Sequence, residues 1–477
     1  MASNLAPAPK SAPIRKLLGK LSRNVDRHQR RHGSFWWLKH SPSPLDWAIR
    51  AYETLTLRSS RPPRSPALHI ESPGTSLAEP GLAMIQGWAY SAEAGFPEGK
   101  VEASVDGQDW VPLTNRVPLD GLAKTVHWAR RCGFSAALNT FCLKNGVHRL
   151  RVRVKTISGK VVRQRARSFR VNHVGRLAEV TTGLLKNSPI TKTVWEDPVD
   201  SADFPFAQSR DVAWFERSDA ENHVAPVIAR HKLPSAYESH LRHFLTHGYI
   251  VLDQFISKQH CARINRDLEA TLAAGDVRYG WKGQRIERMF EHSRATRALW
   301  THPEILKVLS AIFDDQAVPC QTLNFIHGSQ QAVHQDLVHL TPFPQGFMCG
   351  VWVALEDVHP DAGPLVVYPG SHRLPRIYTR TAGAPKVLDD SMWGEFSTVY
   401  SPVVKKLIDQ SGLEPVYYTP KMGSVLIWHE NLAHGGSPRK NDELTRKSIV
   451  SHYFARGAVA FFDSQGVPAW TRPADDD

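Results

Sequence analysis

In the stretch AVHQDLVHL, residues 332–340, His334 and Asp336 stand two apart. On a strand that spacing turns both side chains to one face, offering an imidazole nitrogen and a carboxylate oxygen to a common point. A second histidine would complete a two-histidine, one-carboxylate facial triad, a donor set for ferrous iron that leaves three positions open. Those positions suit a bidentate cosubstrate and O2, whereas a structural zinc site is closed by four protein ligands. The same pair alone could be a hydrogen-bonded couple on a wet strand edge, so its setting decides.

The elements around the pair form a pattern. HLRHFLTHGYIVLDQFIS predicts a helix, a break at Gly248 and a short strand over Tyr249 to Leu252. Ser257 is placed to cap a helix whose Cys261, Ile264, Leu268 and Leu272 fall at spacings of three and four. HPEILKVLSAIF predicts another amphipathic helix. Strand signals then dominate: CQTLNFI, FMCGVWVALEDV, GPLVVYP, GSVLIWH and RKSIVSHYF. Helices followed by many strands predict an α+β domain with a β-barrel or sandwich core.

HQDLVHLTPFPQGFMCGVWVALEDVHPDAGPLVVYPGSHR and GSVLIWHENLAHGGSPRKNDELTRKSIVSHYF resemble the phytanoyl-CoA dioxygenase family of Fe(II)/2-oxoglutarate-dependent oxygenases, over roughly residues 240–456. The resemblance implies a mainly β, double-stranded β-helix (jelly-roll, cupin-like) domain with flanking helices. It implies that His334, Asp336 and His434 hold the iron, with His434-Gly435-Gly436 fitting the family's distal histidine better than His429. Arg446 would clamp the far carboxylate of 2-oxoglutarate, a task suited to a planar guanidinium with paired donors. Trp352, Ser437, Ser448, Arg285 and Gln335 complete the expected cosubstrate contacts. The loop from His434 to Arg446 is one residue longer than usual in the family, which unsettles Ser437 more than Arg446. The implied cofactors are Fe(II), 2-oxoglutarate and O2. The implied reaction decarboxylates 2-oxoglutarate to succinate and CO2 while hydroxylating an aliphatic C–H, and the carboxylate of Asp336 distinguishes the chain from related halogenases. His327, His339, His372, His429 and His452 are expected to be structural or substrate-lining. Arg376 to Tyr418, with Trp393, Phe396 and Tyr400, lies between the ligand regions as an expected lid or specificity segment.

The rest of the 477 residues divides by composition. Residues 1–66 carry thirteen Lys and Arg against three acids, so +10 of the net +13 sits in a basic arm. With Phe35, Trp36 and Trp37 nearby, the arm suits peripheral membrane or protein docking or a solvated tail, and no nucleic-acid motif follows it. From 67 to 174 the period is two, with turns at Asp106-Gly107, Asn145-Gly146 and Ser158-Gly159, predicting a β-sandwich. IQGWAYS, VDG, GFSAAL and NGVHRLRV resemble immunoglobulin-like modules attached to some bacterial glycosyltransferases, which would make Trp88, Trp110 and Trp128 candidates for a sugar-binding face. Residues 175–235 show no clear period and read as a connector, 236–462 as the oxygenase domain and 463–477 as a tail. Five cysteines without a C-x-x-C pair, no run of eighteen apolar residues and no apolar leader at the N-terminus suit a cytoplasmic protein, placed if peripheral at the inner membrane face. Substrates compatible with these readings are small molecules, acyl groups or glycan-linked compounds. Two other classes fit the same residues: a glycan-binding protein with a vestigial oxygenase scaffold, and a metal hydrolase using the same ligands.

Overall fold

In NGVHRLRVRV the alternation of Leu150, Val152 and Val154 with Arg149, Arg151 and Arg153 is a strand with its apolar side buried and its arginines outward. A computed structural model describes residues 66–469, except 74–76, 79–81, 92–99, 118–131, 187–192, 196–197, 278, 281–284 and 389. Two sheets form the sandwich. One orders β1 (Ala67–Ser72), β3 (Leu82–Tyr90), β7 (Gly133–Asn139) and β10 (Val194–Trp195), with β6 (Thr114–Val117) also on β7. The other orders β2 (Leu77–Ala78), β9 (Val161–Val171), β8 (Gly146–Lys155), β4 (Lys100–Val105) and β5 (Val111–Pro112). Leu68, Ile85 and Phe134 of the first sheet pack against Val101, Val152 and Phe169 of the second. Asp106 and Gly107 both take positive φ at the predicted turn. The tryptophans do not form one face: Trp88 is buried in the first sheet, and Trp110 lies beside the second under the Arg153 guanidinium, 4.0 Å from the ring centroid. Trp128 and the basic arm lie outside the described residues.

Residues 175–235 are more than a connector. They hold α1 (Arg176–Leu185), four 3-10 turns and α2 (Val224–Arg230). Leu177, Trp214, Phe215, Val224 and Val227 enter the main core of the following domain, and Trp214 Nε1 donates to the Ile312 carbonyl at 2.8 Å. Three- and four-residue turns never complete a period, which is why the sequence pattern looked irregular.

The C-terminal elements begin as predicted. α3 (Tyr237–His247) ends at Gly248, whose φ of 82° no β-branched residue would tolerate. β11 (Tyr249–Leu252) follows, and the Ser257 side chain caps α4 (Lys258–Ala273) by accepting from His260 N. α5 (Arg294–Trp300) and α6 (Pro303–Phe313) complete the layer. A six-stranded antiparallel sheet orders β11, β18 (Val425–His429), β15 (Met348–Ala354), β20 (Ser448–Ala455), β13 (Ala317–Phe325) and β12 (Ile286–Glu287). Cys349, Val351 and Val353 face the helices, in one cluster with Ile264 and Ile312; Trp352 and Ala354 face the interior. Both faces of β15 are covered, so FMCGVWVALEDV reads as an unbroken apolar run. Burying each such side chain contributes about 1.5–3 kcal/mol.

A three-stranded sheet, β17 (Val416–Tyr418), β16 (Leu365–Val367) and β19 (His434–Gly436), packs Leu365 and Val367 against Trp352, Leu426 and Trp428 across that interior. These two facing antiparallel sheets are the jelly-roll core expected. A third sheet, β14 (Thr341–Phe343), β21 (Val459–Phe462) and β22 (Val467–Pro468), shows that residues 463–469 are no free tail. Asp463 is fully buried and accepts from Ser201 N (2.9 Å) and Thr379 N (2.7 Å), while Phe204, Phe343, Phe461 and sandwich residue Ala137 share one cluster. Among the described residues no helix is long and apolar enough to cross a membrane.

Candidate active site

The two histidines of the predicted triad meet through their backbones. His334 and His434 form an isolated antiparallel bridge, each N–H donating to the other's carbonyl at 3.0 Å. His334 is therefore a single rung, and Asp336 opens a 3-10 turn over Asp336–Val338 rather than continuing a strand. Strand alternation predicts the right neighbours but not the local geometry: the turn aims the carboxylate. The Nδ1 atoms point back to carbonyls two residues earlier, Ala332 for His334 and Leu432 for His434, both at 2.9 Å. Donation from Nδ1 leaves the lone pair on Nε2, the atom turned to the third donor. Asp336 Oδ1 lies 3.5 Å from His334 Nε2 and 3.6 Å from His434 Nε2. The three donor atoms fall within 4.8 Å of one another, and all three residues are buried.

Asp336 is held by residues that the sequence reading did not single out for this role. Its Oδ2 accepts from Trp428 Nε1 at 2.8 Å and lies 3.2 Å from His452 Nε2. Trp428 reaches it across Gly350, where a Cβ would sit 2.2 Å from the indole. Burial pushes the Asp336 carboxyl up, but the facing imidazoles of His434, His334 and His452 prevail and hold it well below the usual carboxylate range. Burial pulls the His434 imidazole down to about 4, so it is neutral near pH 7. One anionic carboxylate and two imidazole nitrogens form a site that could bind a divalent transition metal, a donor set that fits ferrous iron.

Beside the triad, Arg446 is 2% exposed, and its Nε and Nη1 are buried without a hydrogen-bond partner. Burial lowers its guanidinium to about 10, which leaves it protonated at neutral pH. Its Cζ lies 5.7 Å from the Trp352 ring centroid and 5.9 Å from that of Phe325. A buried, unpaired guanidinium is costly, and a ligand carboxylate relieves that cost through paired charge-assisted bonds. Ser448 Oγ and Trp352 Nε1 are likewise buried and unpartnered. This pocket chemistry fits 2-oxoglutarate.

The remaining assignments divide. Arg285 lines the same cavity, with its Nε donating to Glu287 at 3.0 Å. Ser437 does not line it: its hydroxyl donates to the Pro364 carbonyl at 2.8 Å and borders a neighbouring cleft. Gln335 also turns away, donating to Pro375 O at 3.1 Å and accepting from Ile377 N at 3.0 Å. It fastens the start of the 376–418 segment instead of touching the cosubstrate position. That segment forms α7 (Thr379–Ala382) and α8 (Trp393–Ser411), whose Trp393, Phe396, Ser397, Tyr400 and Ser401 wall a cavity of about 510 Å³. His339 and His452 line it too, whereas His327 bonds Leu444 O, His372 bonds Leu245 O and His429 bonds Glu216. A signal for His452 was present in the sequence: positions 446, 448, 450 and 452 share one parity, and Arg446, Val450 and His452 all line the cavity. Trp428 carried no comparable signal.

Residues 244–448 match the family described as Phytanoyl-CoA dioxygenase (PhyH). Peroxisomal phytanoyl-CoA dioxygenase of Homo sapiens is 25% identical over 186 residues, 37% of this chain and 51% of that protein. The Rattus norvegicus protein is 31% identical over 127 residues, 26% of this chain and 33% of that protein. The chain thus spans about a third to a half of the length of these curated relatives. Among solved structures, the non-heme α-ketoglutarate-dependent carbocyclase SnoK from nogalamycin biosynthesis covers 47% of this chain and 86% of its own at 17% identity and a TM-score of 0.38. EctD from S. alaskensis with 2-oxoglutarate and 5-hydroxyectoine covers 46% and 76% at 21% identity and a TM-score of 0.37. With the family match lying over the triad and Arg446, the C-terminal half of this chain is a phytanoyl-CoA dioxygenase family domain.

Proposed function

We propose that the chain is an Fe(II)/2-oxoglutarate-dependent dioxygenase that hydroxylates an aliphatic C–H of a small-molecule, acyl or glycan-linked substrate. The observation that carries this reading is the pairing of a buried His334, Asp336, His434 cluster with a buried Arg446 guanidinium whose Nε and Nη1 lack a partner. Iron bound there with 2-oxoglutarate and O2 supplies decarboxylation of the cosubstrate to succinate and CO2 coupled to hydroxylation. The chain's own residues do the positioning. His334 and His434 keep Nε2 available by spending Nδ1 on backbone carbonyls. Trp428 and His452 fix the Asp336 carboxylate, and Arg446 over Trp352 orients the far carboxylate of the cosubstrate. α8 walls the cavity with aromatic side chains that limit water near the reacting C–H.

The reading includes the division into an arm (1–66), an immunoglobulin-like sandwich (67–174), a linking segment (175–235), an oxygenase domain (236–462) and a terminal segment (463–477). Its site roles are iron ligation by His334, Asp336 and His434 and cosubstrate binding by Arg446, Trp352, Ser448 and Arg285. Cytoplasmic placement, peripheral at the inner membrane face through the arm, belongs to it as well. A metal hydrolase with the same three ligands gives Arg446 no task, and a vestigial glycan-binding scaffold needs neither the triad nor Arg446. Succinate release tests the proposal: the wild type with Fe(II), 2-oxoglutarate and O2 should form succinate, faster when a panel of acyl-CoAs and nucleotide sugars contains the substrate. Succinate formation that persists in Asp336→Ala would contradict it.

A further inference from the structure

The hairpin of β8 and β9 carries a side chain that folding does not explain. Thr156 to Gly159 form a tight turn, closed by Gly159 N donating to Thr156 O at 2.9 Å and braced by Lys160 N on Thr156 Oγ1 at 3.0 Å. Its second residue is Ile157, 74% exposed, the most exposed large apolar side chain among the described residues. Turns favour Gly, Asn, Asp, Ser and Pro, and a β-branched residue there gains neither packing nor local hydrogen bonds. A single exposed isoleucine would be unremarkable. Here Val161, 43% exposed, stands at the same tip, paired across the ladder with Lys155.

Cations outnumber acids on the described residues around this tip. Residues 146–171 contain nine Lys and Arg and no Asp or Glu. Arg153, Lys155, Lys160 and Arg163 ring the tip, and Lys100 lies opposite Lys155 on β4. Glu102 pairs with Arg153 (2.7 Å) and Lys155 (3.1 Å) at this end; Asp106, bound to His148, lies at the other end. An apolar point inside a cationic collar matches a bilayer interface: acyl chains take up the point while anionic headgroups meet the collar. A soluble polyanion would use the collar and leave Ile157 without purpose. We propose that this hairpin tip docks on an anionic lipid surface, inserting Ile157 and Val161 at the headgroup boundary. The inference stands apart from the iron site and from the arm.

The test uses the full chain with an environment-sensitive fluorophore on Ile157→Cys in a Cys142→Ser background, Cys142 being the one exposed cysteine. Vesicles of phosphatidylserine and phosphatidylcholine should shift the emission to the blue, and pure phosphatidylcholine should not. The shift should weaken as salt rises. In co-sedimentation, I157E should lower partition onto the anionic vesicles about tenfold, and R163E should lower it about fivefold. Unchanged emission on anionic vesicles, or unchanged partition of I157E, would overturn the proposal. So would a chain that binds heparin or RNA through Arg163 while the fluorophore stays silent on vesicles.

Discussion

Two of the buried charged clusters in the C-terminal half differ in which group they leave over. In one, Arg376 pairs with Glu216 and, at 3.0 Å, with Glu430, while His429 bonds Glu216 at 3.0 Å and Gly346 N donates to Glu430 at 2.9 Å. It joins the 3-10 turns before α2, the root of the α7–α8 segment and the end of β18. Burial pushes Glu216 up, but Arg376 and His429 hold it down at about 2. In the other, Trp428 and His452 hold Asp336 Oδ2, yet Arg446 keeps two buried donor positions without partners. The first cluster pairs its cation twice and leaves over an acceptor, Glu430 Oε2, which reads as scaffold, whereas donors left over in a cavity read as a ligand's counterpart.

Mutation should separate the two. Replacing His334, Asp336 or His434 by Ala should reduce iron-dependent succinate formation by about a thousandfold or more, to background, since each removes a ligand. Circular dichroism of these variants should stay near wild type. Arg376→Met should do the opposite, leaving iron binding but costing about 3–5 kcal/mol of stability by stranding Glu216 and Glu430, measured by urea unfolding. Arg446→Gln should raise the KM for 2-oxoglutarate about 10- to 100-fold with iron affinity little changed. His452→Phe should weaken iron about tenfold by loosening the Asp336 carboxylate, visible in metal titration.

The smallest effect concerns acid. Burial, with His429 and Arg373 nearby, lowers the His372 ring to about 3 from an ordinary 6.5. Between those values the unfolded chain binds the extra proton, so this contribution is intact above pH 6.5 and declines as pH falls toward 3. Lowering pH from 7.5 to 5.5 should cost about 1 kcal/mol from this residue, and His372→Gln should flatten that part of the melting curve.

What could be read in advance follows from how local each cause is. Ser257 caps α4 through contacts three residues apart, and Gly248 ends α3 by its own backbone, so both were visible. His334, Asp336 and His434 were visible because their neighbours carry a family pattern, although the strand assumed for them is a single rung and a turn. Gln335 was misplaced because its flanking ligands say nothing of the root of the α7–α8 segment 40 residues on. Ser437 was misplaced because its partner is a backbone carbonyl on another segment. Trp428 meets Asp336 from 92 residues away, and Glu216 meets Arg376 from 160; no local period encodes such contacts. Residues 463–477 read as a tail in the sequence because the partners that hold Asp463, Ser201 and Thr379, lie far away along the chain.

The central claim, three side chains on one ferrous ion with Arg446 receiving the cosubstrate, is tested most directly by anaerobic titration of the Fe(II)-loaded chain with 2-oxoglutarate. A visible charge-transfer band should grow to saturation in the wild type, need about 10- to 100-fold more 2-oxoglutarate in Arg446→Gln, and be absent in Asp336→Ala. No band from a wild type shown to hold iron, or the same band in Asp336→Ala, would contradict the account.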